Sequence, residues 1–171
     1  MDKKIELTVD EFKKVEEIIN NFLQKGSPDN PPKFIALTGP IASGKTTILR
    51  EKYSKDYVLI DSGELFDAFD EKDTEKKAGY MMVTGIELVK RSIAEKKNII
   101  IEVSADTTDK GDKLKQIIDQ MTLLGYKAEI VVIYCDAGEC QKRNEKGRNN
   151  MSSYYSTDET LHYFIVAFEN M

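Results

Sequence analysis

Apolar positions along this chain recur first at helical spacing and then in short continuous runs. Val9, Phe12, Val15, Ile18, Ile19, Phe22 and Leu23 fall three and four apart. That spacing predicts a helix from Thr8 to Lys25, with Thr8 as N-cap and Glu11, three residues on, as its capping-box partner. Gly26 should stop it, and Ser27-Pro28-Asp29-Asn30-Pro31-Pro32 can extend neither a helix nor a strand. Residues 26–33 therefore read as a linker, and residues 8–25 as an accessory helix docked beside the main fold.

Four β-branched runs come next, at Phe34–Thr38, Tyr57–Ile60, Ile99–Val103 and Ile130–Tyr134. They are too continuous for a sheet with one wet face and predict buried parallel strands. Helical segments separate them: Thr46 to Tyr53, roughly Lys77 to Lys96, and roughly Lys110 to Leu124, closed by Gly125. A last helix is expected from Asp158 to Glu169. The alternation specifies a three-layer α/β fold, a mostly parallel sheet with helices on both faces, together with the extra N-terminal helix. At 171 residues the chain fits one domain spanning 1–171, and a multidomain motor or an AAA-type machine would need more chain.

Composition narrows the setting. A chain that is 40% hydrophobic and 32% charged is ordinary for a water-soluble globular protein. No apolar run approaches a membrane span, and Met1-Asp2-Lys3-Lys4 lacks the apolar core of a signal peptide, so a cytoplasmic protein without a membrane partner is expected. The formal charge of −5 speaks against broad nonspecific duplex binding and requires any phosphate-binding cations to be concentrated locally. Cys135 and Cys140 match no zinc spacing; packing is their expected role, and a reducing compartment disfavours a disulfide.

In open α/β sheets ligands bind beyond the carboxyl ends of the strands. The first strand end carries the densest chemistry. Gly39-Pro40-Ile41-Ala42-Ser43-Gly44-Lys45-Thr46 fits G-x-x-x-x-G-K-[ST] at every fixed position and lies between a β-rich run and the helical Thr47-Ile48-Leu49-Arg50-Glu51-Lys52-Tyr53. The glycines let backbone N–H groups curl around a β-phosphate, Lys45 would reach the β- and γ-oxygens, and the Thr46 hydroxyl would be a ligand of Mg²⁺. Residues 39–47, including Thr47 at the helix start, are thus the expected nucleotide cradle, with ATP and Mg²⁺ as cofactors.

The other strand ends supply what phosphoryl transfer needs: cations around the migrating group and a carboxylate for the nucleophile. Asp61 or Glu64 could accept a hydroxyl proton; the competing readings are a helix cap for Asp61 and a dipole-favouring first-turn residue for Glu64. Glu102, directly after three isoleucines in a buried strand, is costly unless paired or bound to a ligand, and could hold Mg²⁺ through water or orient the acceptor. Arg143 and Arg148 could close over the γ-phosphate as a lid, or form a solvated helix face paired with Glu139 and Glu145. His162 reads as structural, and the Tyr154-Tyr155 pair as packing, lid anchoring or base stacking. Asp67 to Gly79 reads as an acceptor-side wall or a solvated loop.

The phosphate loop, the Asp61-to-Glu64 turn, Asn98-Ile99-Ile100-Ile101-Glu102, Leu124-Gly125-Tyr126-Lys127, and then Arg143 and Arg148 resemble the zeta-toxin and polynucleotide-kinase-like group of small P-loop kinases, over about Lys33 to Arg148. The resemblance implies transfer of the ATP γ-phosphate to a hydroxyl of a sugar nucleotide, a nucleoside or a nucleic-acid end. Gly63 stands where the zeta-like pattern has its second acidic residue, so Asp61 and Glu64 both stay open as the base. Ile60-Asp61-Ser62-Gly63-Glu64-Leu65-Phe66 and Thr157-Asp158-Glu159-Thr160-Leu161 also resemble nucleoside monophosphate kinases. Those kinases carry an arginine where this chain has Asp67, and a Gly-Phe-Pro-Arg-like segment that does not follow Glu102 here, which makes them the second reading. A non-catalytic nucleotide switch is a third, although the chain has no Asn-Lys-x-Asp guanine motif. A small hydrolase or DNA-end enzyme built on the same loop is a fourth.

Overall fold

The computed structural model describes residues 7–40, 42–104, 108–146 and 157–171. Four strands, β1 (Lys33–Thr38), β2 (Val58–Ile60), β3 (Ile99–Val103) and β4 (Lys127–Val132), pair in parallel in the order β2-β3-β1-β4. Successive side chains on a strand face opposite ways, and the sequence uses both faces. Phe34 and Ala36 of β1 join Ile99, Ile101 and Val103 of β3 in the larger apolar cluster, whereas Ile35, Leu37 and Ile100 join a smaller one on the other face.

Helices cover the two faces unequally. The smaller cluster is capped by α2 (Lys45–Tyr53) through Leu49 and Tyr53. The larger is built with α1 (Val9–Leu23), α3 (Ser62–Asp67), α4 (Thr74–Ala94), α5 (Thr108–Leu123) and α7 (Thr157–Glu169). A further helix, α6 (Ala137–Lys146), comes after β4. The expected three-layer α/β fold is therefore the one observed, and β1 sits centrally with its partners β3 and β4 on either side.

The accessory helix docks as expected. Thr8 and Glu11 form the capping box, and Glu11 also accepts a hydrogen bond from the Tyr80 hydroxyl of α4; that bond, with those from Thr8, holds its carboxyl down at about 2. The Arg91 guanidinium of α4 grips Glu16 at both carboxylate oxygens, 2.9 and 2.5 Å away. The linker is pinned as well: Ser27 N–H donates to Asp56 O, and Asn98 N–H to Ser27 O.

Two expectations need correction. Ile130–Tyr134 is not a fully buried strand: β4 begins at Lys127, and Ile130, Val132 and Tyr134 are 51%, 69% and 90% exposed. It pairs only with β1 among the described residues, so an apolar run here marks a sheet edge rather than a sheet centre. The stretch from Asp67 to Gly79 is not all loop. Asp73 accepts from Glu75 and Lys76 N–H groups, and this cap starts α4 at Thr74, three residues before the apolar periodicity announces it.

Candidate active site

β1 ends at Thr38 and the chain turns at once into the glycine loop. Gly39 is required there by space: a Cβ would lie 2.6 Å from the Ile133 carbonyl oxygen and 3.0 Å from Ser43 Oγ. Ala42 (φ 61°) and Gly44 (φ 95°) take left-handed backbone, the curl that gathers successive N–H groups into an anion-binding concavity. Helix α2 then starts at Lys45 with no side-chain cap and no acidic residue in its first turn, in contrast to α1, α3 and α4, which Thr8, Asp61 and Asp73 cap. Its first N–H groups and the positive end of its dipole are left for a ligand.

Lys45 is buried, and its ammonium donates to the Gly39 and Pro40 carbonyls at 3.0 and 2.9 Å. Ser43 Oγ is buried with no hydrogen-bond partner among the described residues, an unusual state for a hydroxyl unless a ligand or water completes it. Opposite the loop stands Glu102. Strand alternation puts it on the Ile100 face of β3, the face α2 covers, and there Thr46 Oγ1 donates to Glu102 Oε2 at 3.0 Å. Arg143 reaches over from α6, with Nη1 4.0 Å from the point a Cβ on Gly44 would occupy, while its Nε donates to Glu139 at 2.9 Å. Ala42 to Thr47, Glu102 and Arg143 line one cavity of about 400 Å³.

The structure therefore brings together Gly39, Pro40, Ala42, Ser43, Gly44, Lys45, Thr46, Thr47, Glu102 and Arg143. Arg143 is an exposed i,i+4 partner of Glu139 and also forms part of the cavity wall. Ile41, Arg148 and the Tyr154-Tyr155 pair lie outside the described residues. Thr46 and Glu102 offer two hard oxygen donors, as a magnesium ion prefers. Among the described residues no three His, Cys, Asp or Glu side chains gather, so such an ion would depend on water and phosphate for its other ligands.

The acidic turn after β2 is a neighbour of this cavity rather than part of its lining. Asp61 is half-buried and caps α3 by accepting from Glu64 N–H at 2.8 Å, so the capping reading holds. Burial first, then the charges of Glu102 and Glu64, push its carboxyl up to about 6, against the Glu64 and Gly63 N–H groups that favour the anion. Glu64 is exposed and 3.9 Å from Arg50. His162 is exposed on α7 instead of packed. Sequence reasoning missed how α7 supports the acidic turn: Thr160 Oγ1 accepts from Ser62 N–H at 3.1 Å, and the buried Tyr163 hydroxyl lies within electrostatic reach of Asp61. The Ser62–Thr160 hydrogen bond joins residues 98 positions apart, and no local signal announces it.

A family model described as an AAA domain, AAA_33, matches residues 34–170, which is most of the chain. The chain belongs to the AAA_33 family. The expectation that length sets AAA-type proteins aside is corrected by this match, because an AAA domain fits within residues 34–170. No curated protein matches the AAA_33 chain by sequence. Among solved structures it is similar to one from the PezAT chromosomal toxin–antitoxin system of Streptococcus pneumoniae, with TM-score 0.61 and 18% identity over 82% of this chain and 63% of that one. It is also similar to one of the Pnkp1/Rnl/Hen1 RNA repair complex, with TM-score 0.51 and 18% identity over 86% of this chain and 48% of that one. The chain spans less than two thirds of either neighbour. At these identities the likeness concerns the fold, and at that level the resemblance to small P-loop kinases holds for this AAA_33 domain.

Proposed function

We propose that this protein is an ATP- and Mg²⁺-dependent phosphotransferase that moves the γ-phosphate to a hydroxyl of a sugar nucleotide, a nucleoside or a nucleic-acid end, acting as one domain in the cytoplasm. The observation that carries the proposal is the 3.0 Å contact of Thr46 with Glu102 at the uncapped start of α2. It sets a carboxylate from a second strand beside the hydroxyl that a phosphate loop offers to a metal.

The loop N–H groups and the α2 terminus bind and orient the phosphate tail. Lys45, whose ammonium donates to the Gly39 and Pro40 carbonyls, would turn to phosphate oxygens and place its charge beside the transferring group. Thr46 and Glu102 would hold Mg²⁺, which would supply positive charge to offset that of the phosphate tail. Arg143 covers the cavity from the other side and favours the charge that spreads over the equatorial oxygens. Asp61 is the proton acceptor for the incoming hydroxyl; a carboxyl raised to about 6 is still ionised at neutral pH and is more basic than an ordinary one.

An acceptor screen with γ-labelled ATP tests the proposal across sugar nucleotides, nucleosides, nucleoside monophosphates and 5′-hydroxyl oligonucleotides. Label should pass to one hydroxyl-bearing class, and Lys45→Ala should abolish transfer while leaving the circular dichroism spectrum intact. Label appearing only as free phosphate would make the protein a hydrolase or switch. Label confined to a monophosphate's own phosphate group would make it a nucleoside monophosphate kinase.

A further inference from the structure

Cys135 and Cys140 stand at two positions that helix starts bring together. Asp136 is the N-cap of α6, accepting from Gly138 and Glu139 N–H groups at 3.0 and 3.2 Å. Cys135 directly precedes this cap, and Cys140 is the fourth residue of the helix, its N–H donating to Asp136 O at 2.9 Å. Residues at these two positions pack against each other across the first turn. Here the residues at the two positions are thiols, Cys140 buried and Cys135 half-buried, and Cys135 Sγ donates to the Asp136 carbonyl at 3.6 Å, on the same first turn. One turn further on, the same helix carries Arg143, whose Nε donates to Glu139 and whose Nη1 reaches over Gly44.

We propose that Cys135 and Cys140 form a reversible intramolecular disulfide, made by exchange with a small-molecule disulfide such as oxidised glutathione, that moves the helix start carrying Arg143 and so controls the phosphate site. Accessibility orders the steps. The more exposed Cys135, as thiolate, attacks one glutathione sulfur, forming a mixed disulfide and releasing one reduced glutathione. Cys140 then attacks the Cys135 sulfur, forming the internal bond and releasing the second. Two protein thiols are oxidised, one glutathione disulfide is reduced, and the two thiol protons leave on the glutathione thiols. The neighbouring Cys135 and burial raise the Cys140 thiol, which makes it the slower nucleophile; it gives up its proton before attacking the Cys135 sulfur in the second step. Closing the pair draws the sulfurs to about 2 Å and pulls the first turn of α6 toward the end of β4. Disulfides of this transient, sensing kind are the ones that occur in reducing compartments.

The bond itself does not depend on the proposed phosphotransfer; its effect on activity does, as regulation of that same site. The full chain is incubated with oxidised glutathione, alkylated under denaturing conditions and analysed by intact mass and peptide mapping. The expected product is a monomer lighter by two hydrogens, with neither cysteine alkylated, restored by dithiothreitol. Cys140→Ala should stop at a Cys135 glutathione adduct. Two alkylatable thiols, a wild-type chain halted at the mixed adduct, or bridges only between chains would each overturn the disulfide. With the acceptor identified by the screen, turnover should fall on oxidation and return on reduction, and Cys135→Ser should keep its turnover through the same treatment. Unchanged turnover in a fully bridged sample would overturn the regulatory half while leaving the phosphotransfer reading intact.

Discussion

Glu102 Oε2 accepts a 3.0 Å hydrogen bond from the Thr46 hydroxyl, joining the end of β3 to the first turn of α2 across 56 positions of sequence. The parallel register that pairs Leu37 with Glu102 brings the two strand ends level, so the loop leaving β1 passes directly in front of the carboxylate. Both residues face the side of the sheet that α2 covers. Binding of a metal at the loop can therefore be probed from a strand that contributes nothing to the loop itself.

Glu102→Gln keeps an acceptor for Thr46 and removes the charge. Phosphotransfer should fall by about a hundredfold, with the Mg²⁺ requirement rising, while the melting temperature stays near that of the native chain. A magnesium titration of the transfer rate checks this, and an unaltered midpoint would remove Glu102 from the metal site.

Asp61 sets a pH dependence of known sign. Its carboxyl is raised to about 6 from 3.8, so the fold holds more protons than the unfolded chain between those values, and this group's contribution to stability declines as pH rises through that window. Activity runs the other way, because the base must be ionised: kcat/KM should climb along an acidic limb centred near pH 6. Asp61→Asn, which can still cap α3, should lose that limb and most of the activity, and gain about 1–2 kcal/mol against urea at pH 7 relative to the native chain. A pH series of unfolding curves for both chains gives the difference directly, and parallel curves would refute the assignment.

Arg143→Ala tests the cavity wall. Its ion pair with Glu139 is exposed, so the stability cost should be about 0.5 kcal/mol or less. Charge placed over a transferring phosphoryl group acts mainly on the transition state, and kcat should drop about a hundredfold with ATP affinity changed far less. Equal losses in both quantities would make Arg143 a ground-state phosphate anchor instead.

Gly85 on α4 lies under the ring of Tyr163, where a Cβ would come within 2.5 Å of two ring carbons, and Tyr163 is fully buried. Gly85→Ala should destabilise the fold by about 2–3 kcal/mol by forcing α7 away from α4. Gly111 in α5 has open space around it, and Gly111→Ala should stabilise by about 0.5–1 kcal/mol through helix propensity alone. Denaturant midpoints of the two variants should move in opposite directions; a shift of the same sign would mean that ring contact is not what limits position 85.

Much of this was legible in the residues themselves. The helical spacing from Val9 to Leu23, the Thr8–Glu11 box and the glycine loop each carry their geometry locally, and each forms as expected. Glu102 was legible because an acid after three isoleucines is conspicuous, although which face it takes depends on the whole strand. Two features were not legible. The exposure of β4 depends on which neighbours the sheet supplies, and an edge strand can be as apolar as a central one. The Ser62–Thr160 hydrogen bond depends on how α7 packs against α3 and α4, which no run of nearby residues encodes.

The alternation that sends Ile99, Ile101 and Val103 to one side of β3 and Ile100 and Glu102 to the other makes misfolding and inactivity the same event. A slip of one residue would drive the carboxylate into the oily layer beneath α4 and α7 and leave an aliphatic residue facing the glycine loop. A molecule with that error could neither hide its grease nor set a carboxylate beside Thr46, so any population that retains the contact between the third strand and the second helix has already passed its own structural proofreading.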